Sequence, residues 1–177
     1  TGGGEFFFDA AAAVSGKSPG GPAKIAVVSS GLYGTISGSP TADVVTTGSI
    51  TIPMMKKLGY PAAVAGGIEV AASTGGSILP PVMGSAAFIM AEFTGIRYAE
   101  IAVAAIVPAF LYYFCVYLQV HLRSVKLGIT GLQDVPGFLD TMRRGGMFLV
   151  PLLALVIALL IGYSPNFVAV FGTLAVI

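Results

Sequence analysis

Residues 34–53 read GTISGSPTADVVTTGSITIP, a concentration of glycine, hydroxyl and proline residues around one aspartate, Asp43. The chain around this stretch is mostly apolar: of 177 residues 55% are hydrophobic and only 10% charged, with a mean hydropathy of +0.90. A soluble domain carries about a quarter charged residues. This chain therefore lacks the polar side chains to cover a water-facing surface, and a membrane protein is the expected class. Residues 34–53 are then either a loop in water or irregular backbone held at membrane depth for a purpose.

The remaining composition narrows the function classes. A formal net charge of +1 leaves no basic field for nucleic acid. The single cysteine, Cys115, rules out a disulfide within the chain and a Cys-rich metal site, and its setting in LYYFCVYL predicts a buried, inert thiol. TGGGEFFFDAAAAV at the start reads as the tail of an element and AVFGTLAVI at the end as a span stopped midway. The expectation is a piece of a larger membrane protein.

A membrane-spanning helix needs about 20 mostly apolar residues. Residues 98–122 and 147–163 meet that test, the second being short but dense, and a further span is expected to start at 166–177. Residues 123–146 are polar and predict a loop with one short surface helix. The segments 24–58 and 60–91 are apolar on average but broken, the first at GSPTAD and the second at STGGSILPP. At about 1.5 Å per residue, a straight helix of roughly thirty residues overshoots a ~30 Å hydrocarbon core. Two half-helices joined by an unwound stretch fit.

Charge placement separates two topologies, because lysine and arginine near span ends favour the cytoplasm. If residues 24–58 enter the membrane, turn at GSPTAD and leave on the side they entered, then Lys17, Lys24, Lys56 and Lys57 share one side. Residues 60–91 cross, 98–122 return, and Arg123, Lys126, Arg143 and Arg144 join them. Of nine basic residues only Arg97 then lies opposite, between Glu92 and Glu100. A full crossing by 24–58 would instead separate Lys17 and Lys24 from the others. Parity favours a re-entrant hairpin.

Lipid penalises an unsatisfied backbone group by several kcal/mol, so irregular backbone at membrane depth implies burial in protein or a water-filled cavity. It also creates half-helix ends, whose N–H groups suit anions and whose carbonyls suit cations. The hydroxyls of TISGSPT and STGGS add neutral oxygen ligands for a hard cation. Gly34, Gly38, Gly75 and Gly76 permit close approach, though Gly34 and Gly38 also form a small-xxx-small packing pair. Asp43 follows the first break, where a carboxylate either caps a half-helix or couples to an ion or proton. Glu69 in AGGIEVAAS either pairs with a lysine elsewhere or carries a proton.

Enzyme readings fare poorly. Gly16-Lys17-Ser18 resembles the end of a phosphate-binding loop, but its first glycine is replaced by Ala11. His121 is isolated at a helix end and reads as an interface residue. No catalytic residues, metal-ligand cluster or bound cofactor are expected.

The stretch from SGLYGTISGSPTADVV to AFIMAEFTGIRY, residues 30–98, resembles the large, DctM-like permease subunit of tripartite ATP-independent periplasmic (TRAP) transporters. Three motifs carry the likeness in order: a GSxxA tip at Gly38, Ser39 and Ala42; IPxMxxxGY from Ile52 to Tyr60; and a small-residue run ending in Pro80-Pro81. ASTGGxxxPPVMGxxAF, from Ala72 to Phe88, is similar to the fused branch that works with TAXI-type solute-binding proteins, and the downstream PAFLYYFCVYLQVHL fits that branch. The resemblance implies an all-α, polytopic inner-membrane protein with inverted repeats, each holding a re-entrant hairpin and a broken helix. It implies an elevator mechanism, with this chain as half of the pair. It further implies import of organic acids, usually with Na⁺ and alternatively with H⁺, from a periplasmic TAXI-type binding protein, alongside a small permease subunit or its fused equivalent. Carried over by position, Ser37, Gly38, Ser39, Pro40 and Thr41 would form a substrate and cation site with Asp43 nearby. An unwound Ser73, Thr74, Gly75 and Gly76 would face them, and Na⁺ would be held by Ser37, Gly38, Ser39, Thr74 and Gly75. The competing readings are an ion channel or pore-forming module, with the breaks as a filter, and a membrane scaffold.

Overall fold

The computed structural model describes residues 3–132, 135–161 and 163, and every regular element among them is helical. In chain order these are α1 (Gly3–Ser15), α2 (Gly21–Ser37), α3 (Pro40–Thr46), α4 (Gly48–Lys57), α5 (Ala62–Gly75), α6 (Ser85–Thr94), α7 (Tyr98–Lys126), α8 (Phe138–Gly145) and α9 (Leu149–Ile161). Short 3₁₀ turns occupy Gly76–Ile78 and Gly146–Phe148. The further span expected at 166–177 lies outside the described residues.

The break at GSPTAD is built by local chemistry. Gly38 ends α2 at φ 58°, returning its N–H to the Gly34 carbonyl, the left-handed cap that glycine adopts without a Cβ penalty. Ser39 then caps α3 in extended conformation, and Pro40 occupies the first helical position, where a missing N–H costs nothing. From there α3 and α4 run back along α2, joined at Thr47, which itself keeps helical φ and ψ. The result is a helical hairpin with a two-residue tip.

The second break falls later than STGGSILPP predicts. Ser73, Thr74 and Gly75 belong to the last turn of α5, Gly76–Ile78 tighten into a 3₁₀ turn, and the backbone leaves helical form over residues 79–84. Gly75 and Gly76 both keep right-handed helical angles, so the glycines permit the helix rather than ending it. What stops it is Pro80-Pro81, which brings two consecutive residues without N–H donors.

Downstream, α7 continues one turn past the expected end at 122, and Arg123 and Lys126 lie in that turn, where cations favour the free carbonyls. α8 lies within the polar stretch 123–146, and α9 is a 13-residue apolar helix within 147–163. Among the described residues α7 is the one helix long and apolar enough to cross a membrane by itself.

The main core joins α2, α4, α5 and α7 through Ala23, Ala26, Val27, Met55, Ala65, Ile68, Ala72 and Val120. Its alanines let these helices approach closely. One face of α7 stays uncovered by the other described residues: Val107, Phe110 and Leu122 are each at least 60% exposed. Cys115 lies exposed in the same helix, contrary to its expected burial, because α7 touches the core only along its other side.

Candidate functional site

The two breaks meet. At Gly34, four residues before the hairpin tip, a Cβ would fall 2.6 Å from the Cα of Gly76. At Gly76 it would fall 2.8 Å from the Cα of Gly34, so only a glycine pair allows this crossing. Beside the crossing lies the Asp43 carboxylate, fully buried. Its Oδ1 accepts a short hydrogen bond from Ser37 Oγ across the tip. Its Oδ2 has no hydrogen-bond partner, and Cβ atoms at Gly34 and Gly76 would come within 3.1 and 2.9 Å of it. Ser39, not Asp43, supplies the helix cap, accepting from Ala42 N–H at 3.5 Å. The capping reading of Asp43 therefore gives way.

The predicted site residues divide into three groups. Ser37, Gly38, Ser39 and Asp43 gather at the tip: Ser39 N–H donates to Ser37 Oγ at 3.2 Å, and Gly76 joins them from the second break. Pro40 and Thr41 open α3, with Thr41 exposed. Ser73, Thr74 and Gly75 point elsewhere. Ser73 Oγ reaches Glu69 at 3.4 Å; Thr74 is exposed and donates to the Val70 carbonyl at 2.7 Å; Gly75 makes room for Tyr112 and Tyr113 of α7. What faces the tip instead is the unwound stretch after the 3₁₀ turn at Gly76–Ile78. Val82 N–H donates to the Thr35 carbonyl at 3.2 Å, and the Met83 carbonyl abuts Gly38. Met83 itself holds a left-handed φ of 59°, uncommon for a side chain of this size.

Sequence reasoning missed the supports from α7. Tyr112 and Tyr113 hydroxyls donate to the Ala71 and Ala72 carbonyls, each at 2.8 Å. Gly76 N–H turns to the Ser73 carbonyl, so the tyrosines take over carbonyls near the end of α5. Adjacent tyrosines in an apolar helix were the available signal. Tyr113→Phe leaves the Ala72 carbonyl without its donor and is expected to cost about 1–3 kcal/mol. A lowered Tm of the full-length protein in detergent, together with normal membrane insertion, checks this.

Two further residues are accounted for structurally. His121 Nδ1 lies 3.0 Å from Lys24 Nζ, which also donates to Ser18 Oγ at 2.9 Å at the foot of the hairpin. Gly16-Lys17-Ser18-Pro19-Gly20 has the spacing of a nucleophile elbow, but it links two helices rather than a strand and a helix. Ser18 Oγ accepts from Lys24 Nζ and donates to the Ser15 carbonyl.

The family described as "Tripartite ATP-independent periplasmic transporter, DctM component" matches residues 1–177. Among curated relatives, the C4-dicarboxylate TRAP transporter large permease protein DctM of Pseudomonas aeruginosa is 36% identical over 103 residues, 58% of this chain and 24% of that protein. The uncharacterized protein y4mL of Sinorhizobium fredii is 34% identical over 92 residues, 52% of this chain and 22% of its own length. The matched stretch thus covers less than a quarter of either relative. With a family match over its full length and two broken helices crossing at a glycine pair, the chain belongs to the DctM component family of TRAP transporters.

Proposed function

We propose that this chain is part of the permease subunit of a secondary active TRAP transporter, in which the crossing of the two breaks holds the coupling cation. The buried, unpartnered Asp43 Oδ2 carries this reading. An acceptor left unsatisfied in the interior costs free energy that a bound cation restores. Gly34 and Gly76 lie against this oxygen and Ser37 holds the other one, with Gly38 and Ser39 next in the chain at the tip; Na⁺ is the expected ion. The substrate class is organic acids. The name of the Pseudomonas relative supports that class. Charge parity supports a hairpin that is re-entrant from the cytoplasmic side, and the uncovered apolar face of α7 supports a multi-pass fold in the inner membrane. A periplasmic TAXI-type binding protein would deliver substrate, beside a small permease subunit or fused domain, in an elevator of two inverted repeats.

The test is uptake of radiolabelled carboxylates by the full-length permease in liposomes. Uptake that requires both an inward cation gradient and added binding protein supports the carrier. Rapid ion conductance without either would favour a channel and sink the proposal.

A further inference from the structure

Helices α5 and α7 run antiparallel and are clasped at two points. The Tyr112 hydroxyl of α7 meets the Ala71 carbonyl at 2.8 Å, and the hydroxyl of Tyr60, just before α5, meets Ser124 Oγ at 2.5 Å. Between the clasps lies a groove of about 380 Å³. Gly67 and Ala71 of α5 and Val116 of α7 form its apolar wall, while Gln119 and Arg123 of α7 stand at its Tyr60 end. A Cβ added at Gly67 would meet nothing within 4 Å, so the wall is open there.

The Tyr60 end of the groove is basic. The bond from Tyr60 to Ser124 brings the link between α4 and α5, with Lys56 and Lys57, to the last turn of α7, which carries Arg123 and Lys126. All four are exposed. Lys24 adds a buried ammonium at the same end, held by His121 Nδ1 at 3.0 Å and Ser18 Oγ at 2.9 Å, neither of them an acid. Among the described residues the one ion pair joins Arg97 to Glu100, at the opposite end of α7. The basic end therefore has no carboxylate paired with it among those residues, and its field favours an anion from outside.

The order of groups along the groove selects the occupant. A cationic, hydrogen-bonding mouth leads onto a wall of glycine, alanine and valine, in a chain whose family is a membrane one. A phospholipid presents the matching order, phosphate first and acyl chain beneath. An apolar helix laid in the groove would cover the wall but bring no charge to Arg123. A zwitterionic headgroup brings its own ammonium to a mouth already crowded with cations. At about 1.5 Å per residue, residues 64–71 give a wall roughly 10 Å long, room for the upper part of one acyl chain.

We propose that the groove between α5 and α7 binds one anionic phospholipid from the leaflet on the lysine side, its phosphate at Arg123 and Gln119 and an acyl chain against Gly67 and Ala71. The site is separate from the hairpin tip and does not depend on the transport reading. Because α5 carries the second break, a lipid held here braces that helix against α7.

Native mass spectrometry of the full-length permease in an uncharged detergent, with phosphatidylglycerol or phosphatidylcholine added, tests the site. Wild type is expected to retain phosphatidylglycerol in preference to phosphatidylcholine, and Gly67→Leu, which fills the open wall, to lose one molecule of it. Leucine favours a helix over glycine, so this variant is expected to fold; Gly67→Ala, a smaller filling, is expected to give an intermediate loss. Arg123→Gln is expected to weaken retention about fivefold, the effect of one cation at a membrane surface. Arg97→Gln, at the opposite end of α7, is expected to bind as wild type does. Equal retention of the two lipids overturns the proposal, because charge then plays no part. So does unchanged retention in both Gly67 variants, which puts the headgroup on the surface and no chain in the groove. An equal loss in Arg97→Gln and Arg123→Gln shows diffuse attraction and overturns it as well.

Discussion

Gly38→Ala is expected to abolish transport by the full-length permease and to destabilise it by about 3 kcal/mol or more. Two costs add. An alanine at φ 58° sits in the left-handed region, worth roughly 1–2 kcal/mol against it. Its Cβ would also lie 1.9 Å from the Met83 carbonyl oxygen and 2.8 Å from the carbonyl carbon. These are backbone atoms, so no rotamer change relieves the clash, and overpacking of this kind costs about 1–3 kcal/mol more. The hairpin tip and the unwound stretch must separate, and with them the Val82 to Thr35 hydrogen bond. Thermal unfolding of the purified variant measures the stability change, and uptake assays the function. For stability, Ser39→Ala is the comparison: it loses a long cap bond of 3.5 Å, with an expected cost of about 0.5–1 kcal/mol. Equal stability of Gly38→Ala and wild type would show that the tip does not dock as described.

Asp43→Asn is expected to lower the apparent affinity for the coupling cation at least a hundredfold, which is about 2.7 kcal/mol. The change preserves size and one acceptor oxygen but removes the charge, and bonds to ionised groups are roughly twice as strong as neutral ones. It also places an amide N–H₂ or oxygen where Oδ2 packs against Gly34 and Gly76. Ser37 retains a partner in the variant, so the tip is expected to fold. Cation dependence of uptake, measured by varying external Na⁺ at fixed substrate, is the readout. Unchanged dependence would move the cation site away from the crossing.

Both variants lie where the sequence was informative for one reason and the tertiary structure for another. Glycine and proline act through their own backbone angles and missing N–H groups, so the tip at Gly38, Ser39 and Pro40 was legible from those three residues alone. The prolines at 80 and 81 likewise marked where α5 could not continue, although the glycines before them suggested an earlier end. Charge parity rested on lysines and arginines next to apolar runs, and the proposed direction of the hairpin follows from it. The apolar content established the class of protein.

Which side chains converge was a different matter. Thr74 and Gly75 sit in the same motif as Gly76, yet a helix turns each by about 100°, and only Gly76 meets the tip. That rotation is set by Tyr112 and Tyr113, some forty residues along the chain. Glu69 gave no sign in the sequence of its hydroxyl cage, because Ser30, Thr47, Thr51 and Ser73 come from helices whose offset depends on the packing of Ala23, Ala26, Ala65 and Ala72. Local residues determined where the backbone breaks; the fit of helix against helix decided what the breaks enclose.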